Sequence, residues 1–197
     1  MRLDYMTARL KWLLLFSVFL IPYEACAANH YLTLYGGKYS DSKLGHVLLS
    51  KPIDFMDAYL GVVALSRGFD FVSPAHQWEL EAQLGKYYRA QRHWEFNVAA
   101  LYRWQRFPWR KILRTTLAIG DGLSYATRTP ALEKASKSNI GATRLLNYVV
   151  VEVSVAPPEV KDWSLIVRVH HRSGVYGIFD DVEGGSNVIA VGAKFRY

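Results

Sequence analysis

From His93 to Gln105 the chain reads HWEFNVAALYRWQ. The even positions Trp94, Phe96, Val98, Ala100, Tyr102 and Trp104 are apolar. Glu95, Asn97, Arg103 and Gln105 are polar, with Ala99 and Leu101 as exceptions. Gln77 to Leu84 repeats the pattern, with Trp78, Leu80, Ala82 and Leu84 set against Gln77, Glu79, Glu81 and Gln83. A period of two puts the two sets on opposite faces of a β-strand. Eight such segments can be traced, at about 29–37, 57–66, 76–87, 93–104, 112–124, 143–155, 163–173 and 186–197. Several approach the roughly 9 to 11 residues that a tilted strand needs to cross a bilayer. The expected fold is all-β: an eight-stranded antiparallel transmembrane β-barrel of the outer-membrane type.

The ends of the segments agree with that fold. Tyr31, Tyr35, Trp78, Tyr87, Tyr88, Trp94, Tyr102, Trp104, Trp163 and Tyr197 lie towards strand ends, as do the aromatic girdles at the two interfaces of a membrane barrel. Short connections (Phe107 to Arg110, Pro157 to Asp162) alternate with long ones at 38–56, 125–142 and 174–185, broken by a short outer turn at 88–92. In such barrels the short turns are periplasmic and the long loops face outward. The chain closes on one apolar face, Ile189, Val191, Ala193, Phe195 and Tyr197, with Gly192, Lys194 and Arg196 on the other. A soluble, lipocalin-like barrel would show the same alternation with the apolar face inward. Eight strands leave an interior just wide enough for side chains. That disfavours a porin and leaves Glu79, Glu81, Glu95, Arg103, Arg144 and Glu152 to pair inside.

The N-terminus sets the compartment. Arg2, Arg9 and Lys11 precede an apolar run from Trp12 to Ile21, then Pro22 and Ala25-Cys26-Ala27. Positive region, apolar run and small-x-small site together make a secretory signal peptide. The run is too short for a membrane helix, which needs about 20 apolar residues. Tyr23 stands where a lipoprotein signal has an apolar residue. Residues 1–27 are therefore expected to be a cleaved signal and 28–197 a single barrel domain. The only cysteine, Cys26, leaves with the signal, so the mature chain has no disulfide. Cleavage also removes three basic and two acidic residues, lowering the net charge from +7 to +6. For an exported chain, anionic lipid headgroups are a better acidic partner than nucleic acid.

The seventh segment carries candidate chemistry. Trp163, Leu165, Val167, Val169, His171 and Ser173 share one face; Ser164, Ile166, Arg168, His170 and Arg172 share the other. Because Tyr197 ends in the periplasm, this strand runs outward, and His171 and Ser173 reach the outer rim on the lipid-facing side. His170 goes to the interior as a carboxylate partner. A serine hydroxyl is a nucleophile only when an adjacent base takes its proton. Histidine is the usual base, and a carboxylate usually orients it. Asp180, Asp181 and Glu183 follow in the next loop.

His171-Arg172-Ser173, followed by Asp180-Asp181-Val182-Glu183, resembles the active-site hairpin of the PagL-type lipid A 3-O-deacylases. The resemblance implies Ser173 as nucleophile, His171 as general base and Glu183 as the orienting acid. The implied reaction is removal of an ester-linked acyl chain from lipid A in the outer leaflet. The barrel architecture matches throughout the mature chain, but the motif covers only the last strand pair. The family's pair is commonly followed by Asn where this chain has Gly174, which leaves the oxyanion donors unassigned. The loop to Glu183 is also slightly shorter.

Plainer readings accompany these. His171 and Ser173 also fit polar positions where the apolar band ends, and Glu183 fits a solvated loop carboxylate. Gly184, Gly185, Ser186 and Asn187 read as turn residues, and Gly120-Asp121-Gly122 as a bulge. His46 in the first outer loop points to nothing specific. Lys86, Arg89 and Arg92 are candidate cations for lipid A phosphates. No metal cluster, phosphate loop or dinucleotide fingerprint occurs, so neither metal nor cofactor is expected. The functional expectation is a serine-type lipid A deacylase. The alternative is a non-catalytic outer-membrane barrel with a structural or loop-mediated binding role.

Overall fold

Every alternating segment becomes a strand. The computed structural model describes residues 29–49, 51–73, 75–136, 140–175 and 177–197. The expected signal peptide, 1–27, lies outside them. In chain order the elements are β1 (Asn29–Ser40), a helical turn α1 (Leu44–Leu48), β2 (Phe55–Ser73), β3 (His76–Arg89), β4 (Trp94–Trp104) and β5 (Arg114–Ala126). A second short helix, α2 (Ala131–Ala135), then precedes β6 (Leu145–Ala156), β7 (Trp163–Ser173) and β8 (Gly185–Arg196). Each strand pairs antiparallel with its sequence neighbour, and β1 pairs with β8 to close the barrel. Closure removes every sheet edge, as a backbone in lipid requires. β2 runs longer than its alternation marks, to Ser73, with its register broken between Phe69 and Ser73.

The direction of the faces excludes a soluble barrel. Leu34, Val63, Leu65, Leu80, Leu84, Phe96, Val98, Ile119, Leu123, Val153, Leu165, Val167 and Val191 are all exposed on the outer wall. A water-soluble surface does not carry a continuous apolar band of that extent. Tyr59, Tyr88, Trp94 and Tyr125 ring it at the end with the long connections, and Trp78, Trp104, Trp163 and Phe195 at the other. Three tyrosines expected in the girdles point inward instead: Tyr31, Tyr35 and Tyr87. A phenol inside a polar lumen finds partners; Tyr31 and Tyr35 donate to Gln77 Oε1 at 3.1 Å and Gln83 Oε1 at 2.8 Å.

The interior is charged at its middle. Arg103 bridges Glu79 and Glu152, Arg168 bridges Glu152 and Glu81, and Lys194 pairs with Glu79. His170 Nε2 meets Glu95 Oε1 at 2.7 Å, so this histidine is the interior carboxylate partner its parity predicts. Apolar side chains fill the remaining volume, including Leu60, Val62, Tyr87, Ile166 and Val188. Arg144 departs from expectation. It precedes β6 and is exposed, its guanidinium 4.8 Å from the Tyr125 ring centroid. The expected bulge at Gly120-Asp121-Gly122 is absent too: β5 pairs in unbroken register with both neighbours there, and Asp121 faces outward.

Candidate active site on the outer wall

β7 reaches the loop end of the barrel with its alternation intact, so His171 and Ser173 both lie on the outward face. Outward parity does not leave His171 exposed. It is only 8 % accessible, and Asn187, its cross-strand partner on β8, only 1 %. Residues 41–46, which follow β1, lie against this part of the wall. Asn187 Nδ2 donates to the Ser42 carbonyl at 2.6 Å, fastening this segment to β8. Ser42 is itself held, its Oγ accepting from the Asp54 amide at 2.9 Å.

That fastening fixes the amide of Asn187, and hence the histidine tautomer. With Nδ2 committed to Ser42, the oxygen Oδ1 faces His171 Nδ1 at 2.9 Å. An oxygen acceptor requires the proton on Nδ1. The other ring nitrogen, Nε2, then keeps its lone pair for a proton from a neighbour. Ser173, two residues on, shares the face. Between the wall and this segment lies a cavity of about 620 Å³ lined by His171, Ser173, Glu183, Asn187, Lys43 and His46, among others.

Glu183 lines this cavity but is exposed, and its backbone pairs with Ile140 in an isolated bridge. The His171 ring is hydrogen-bonded to the Asn187 side chain and to the Ser186 backbone, not to Glu183. Asp180 and Asp181 sit in a tight turn, each at φ 56°, and do not line the cavity. Gly174 is where the backbone is most crowded. A β-carbon there would lie 1.8 Å from the Val182 carbonyl oxygen, so the hairpin as folded admits no side chain at this position. Gly185 similarly leaves room for the ring: a β-carbon would stand 3.0 Å from His171 Cε1.

Behind the wall, Arg172 anchors the same hairpin. Its guanidinium holds Glu133 of α2 at 2.9 Å, Ser124 at 2.8 Å and the Arg144 carbonyl at 3.0 Å, and Ser186 also donates to Glu133. Burial holds the Glu133 carboxyl above its ordinary pKa, and Arg172 and Ser186 offset only part of that rise. α2 is thereby tied to β7 and β8. Lys86, Arg89 and Arg92 stand elsewhere, on the β3–β4 hairpin, with two strands between it and β7–β8 in either direction. The cation that the structure brings to the cavity is Lys43. Asn187, Ser42, Lys43 and His46 are the site residues that sequence reading missed. Asn187 had a signal: it is the polar member of the outward row Asn187, Ile189, Val191, Ala193 and Phe195.

No family model matches the chain, and no curated protein matches its sequence. Solved structures do match in fold. Neisserial surface protein A (NspA) aligns with TM-score 0.53 and 11% identity, covering 87% of this chain and 99% of that one. The outer membrane enzyme PagL aligns with TM-score 0.56 and 13% identity, covering 86% of this chain and 99% of that one. At such identities the likeness is one of fold, and it is shared by an enzyme and a surface protein alike. The chain is a closed, eight-stranded antiparallel barrel of the outer-membrane type.

Proposed function

We propose that this barrel is an outer-membrane esterase that removes an ester-linked acyl chain from lipid A. The observation that carries this reading is the hydrogen bond from His171 Nδ1 to Asn187 Oδ1 beside Ser173, in a cavity on the outer wall. A soluble hydrolase keeps its nucleophile in a cleft facing water. Here the nucleophile faces the outer leaflet, where the ester bonds of a glycolipid lie. Ser173 Oγ attacks the ester carbonyl carbon while His171 Nε2 takes its proton. The tetrahedral intermediate expels the sugar oxygen, which leaves with that proton. Water, deprotonated by the same nitrogen, then cleaves the acyl-serine and releases the fatty acid. Asn187 holds the ring, and Glu183 on the cavity rim supplies negative charge that favours the imidazolium. Lys43 offers a cation to an anionic headgroup. An outer membrane enzyme is among the solved structures that share the fold, and the His-x-Ser hairpin resembles the deacylase family's. Cleavage of residues 1–27 as a signal peptide completes the proposed route to the outer membrane.

A second reading, a non-catalytic barrel that acts through its loops, is favoured by one feature: the side-chain partner of His171 is an uncharged amide. A fluorophosphonate separates the two. With the folded protein in lipid vesicles, the esterase reading expects an adduct on Ser173 that is lost in His171→Ala. Absence of any adduct on a folded barrel favours the second reading.

A further inference from the structure

The end of the barrel away from Ser173 carries positive charge that no carboxylate balances. At mid-barrel three cations, Arg103, Arg168 and Lys194, meet three carboxylates, Glu79, Glu81 and Glu152, and the charges cancel. Nearer the turns 105–113 and 157–162 the balance fails. A cavity of about 100 Å³ lies there, bordered on its inner side by the neutralised Arg103 and Lys194. Its other charged residues are Arg114, Lys161, Arg196 and Asp162, three cations to one carboxylate, a surplus of two positive charges. Asp162 is paired with Arg196 at 3.3 Å. Arg114 donates instead to the carbonyls of Lys161 and Trp163, at 3.4 and 3.2 Å. The Lys161 ammonium has no ion pair or hydrogen bond among the described residues.

Hydroxyl donors line the same cavity. Arg103 Nη1 donates to Thr116 Oγ1 at 2.7 Å, and Thr116 shares a hydrogen bond, also 2.7 Å, with its cross-strand partner Ser154 on β6. A guanidinium only donates, so the two hydroxyls hold two hydrogens for the one bond between them. One hydrogen is left over, whichever of them donates. Ser164 on β7 adds a hydroxyl with no partner among the described residues. Surplus cations and spare hydroxyl hydrogens together call for an anion rich in acceptors. We propose that this cavity, at the end with the short turns, binds a phosphate group, carried by a phospholipid headgroup or free in solution. Guanidiniums suit its oxygens, and the flanking hydroxyls take those that the cations leave. Trp163, a girdle residue at the headgroup layer, borders the cavity as well. The proposal is independent of the chemistry at Ser173.

The folded barrel in phosphate-free maltoside micelles tests this by calorimetric titration. Inorganic phosphate is one ligand and short-chain phosphatidylglycerol the other. Arg114→Gln, Lys161→Gln and Arg196→Gln are compared with the wild type. Lys111→Gln is the control, since it removes an exposed charge from the neighbouring turn without lining the cavity. Heat-shifted electrophoretic mobility verifies that each variant is folded. Lys161→Gln breaks no bond within the protein, so it decides the matter if an arginine variant does not fold. The wild type is expected to show saturable binding of at least one ligand. Each arginine substitution is expected to weaken it about tenfold or more and Lys161→Gln several-fold, with Lys111→Gln within about twofold of wild type. Binding of phosphatidylglycerol alone supports the site and names the headgroup as its source. A response to inorganic phosphate supports it and shows that the group suffices without a lipid. No saturable binding of either ligand overturns the proposal, as does binding that the three cavity substitutions leave unchanged. An equal loss in Lys111→Gln would assign binding to the diffuse charge of this end and also overturn it.

Discussion

At the scale of the residue, two adjacent histidines separate by parity. His170 points inward to Glu95 and Tyr35, and His171 outward to Asn187. Only His171 shares a face with Ser173. Ser173→Ala and His171→Ala are each expected to cut deacylation by roughly four orders of magnitude or more, the usual consequence of losing a nucleophile or its base. Asn187→Ala is expected to cost less than either, mostly in kcat, because it frees the ring without removing it. Asn187→Asp should retain more activity than Asn187→Ala, since it keeps the acceptor at Nδ1. A His170→Ala enzyme slower than His171→Ala, in steady-state assays on purified lipid A, would refute this assignment. Which residues share a face was legible in the sequence, because alternation determines it. Asn187 was read as a turn residue because Gly184 and Gly185 precede it. Its role depends on the β7–β8 register and on residues 41–46 lying against the wall, and local pattern encodes neither.

At the scale of the element, strands are specified by alternation and the interior by charge. The eight segments emerged in the right places, with ends shifted by a few residues and β2 longer than marked. The tyrosines were harder, since an amphipathic ring suits both a girdle and a polar lumen. Tyr35 and Tyr87 went inside because their parity demanded it. The charged interior carries a stability prediction. Glu152 joins Arg103 on β4 to Arg168 on β7, so removing it leaves two buried guanidiniums short of a counter-charge. Glu152→Ala is expected to destabilise the barrel by about 3–5 kcal/mol, read as a lower urea midpoint for unfolding from lipid vesicles. A midpoint within experimental error of wild type would mean that water or lipid headgroups already neutralise these arginines.

At the scale of the whole molecule, orientation gives the site its meaning. The strand ends that the long connections join (Ser40 and Phe55, Ala126 and Leu145, Ser173 and Gly185) gather at one end, and the turns 105–113 and 157–162 at the other. A tag inserted in 126–142 is expected to be labelled on intact cells, and one in 157–162 only after the outer membrane is breached. The reverse pattern would place Ser173 at the periplasmic leaflet and remove its access to outer-leaflet lipid. The fold was legible from the chain because a membrane barrel writes its two solvents, lipid and lumen, into every second residue. The candidate site was less legible, because it rests on three or four side chains whose meeting depends on loop packing. The most direct measurement is the mass of lipid A from an outer-membrane expression host carrying the wild-type barrel, the Ser173→Ala barrel or none. The expected result is loss of one hydroxyacyl chain with the wild type, and intact lipid A with Ser173→Ala at equal abundance in the membrane. Identical lipid A masses in all three would contradict the deacylase assignment.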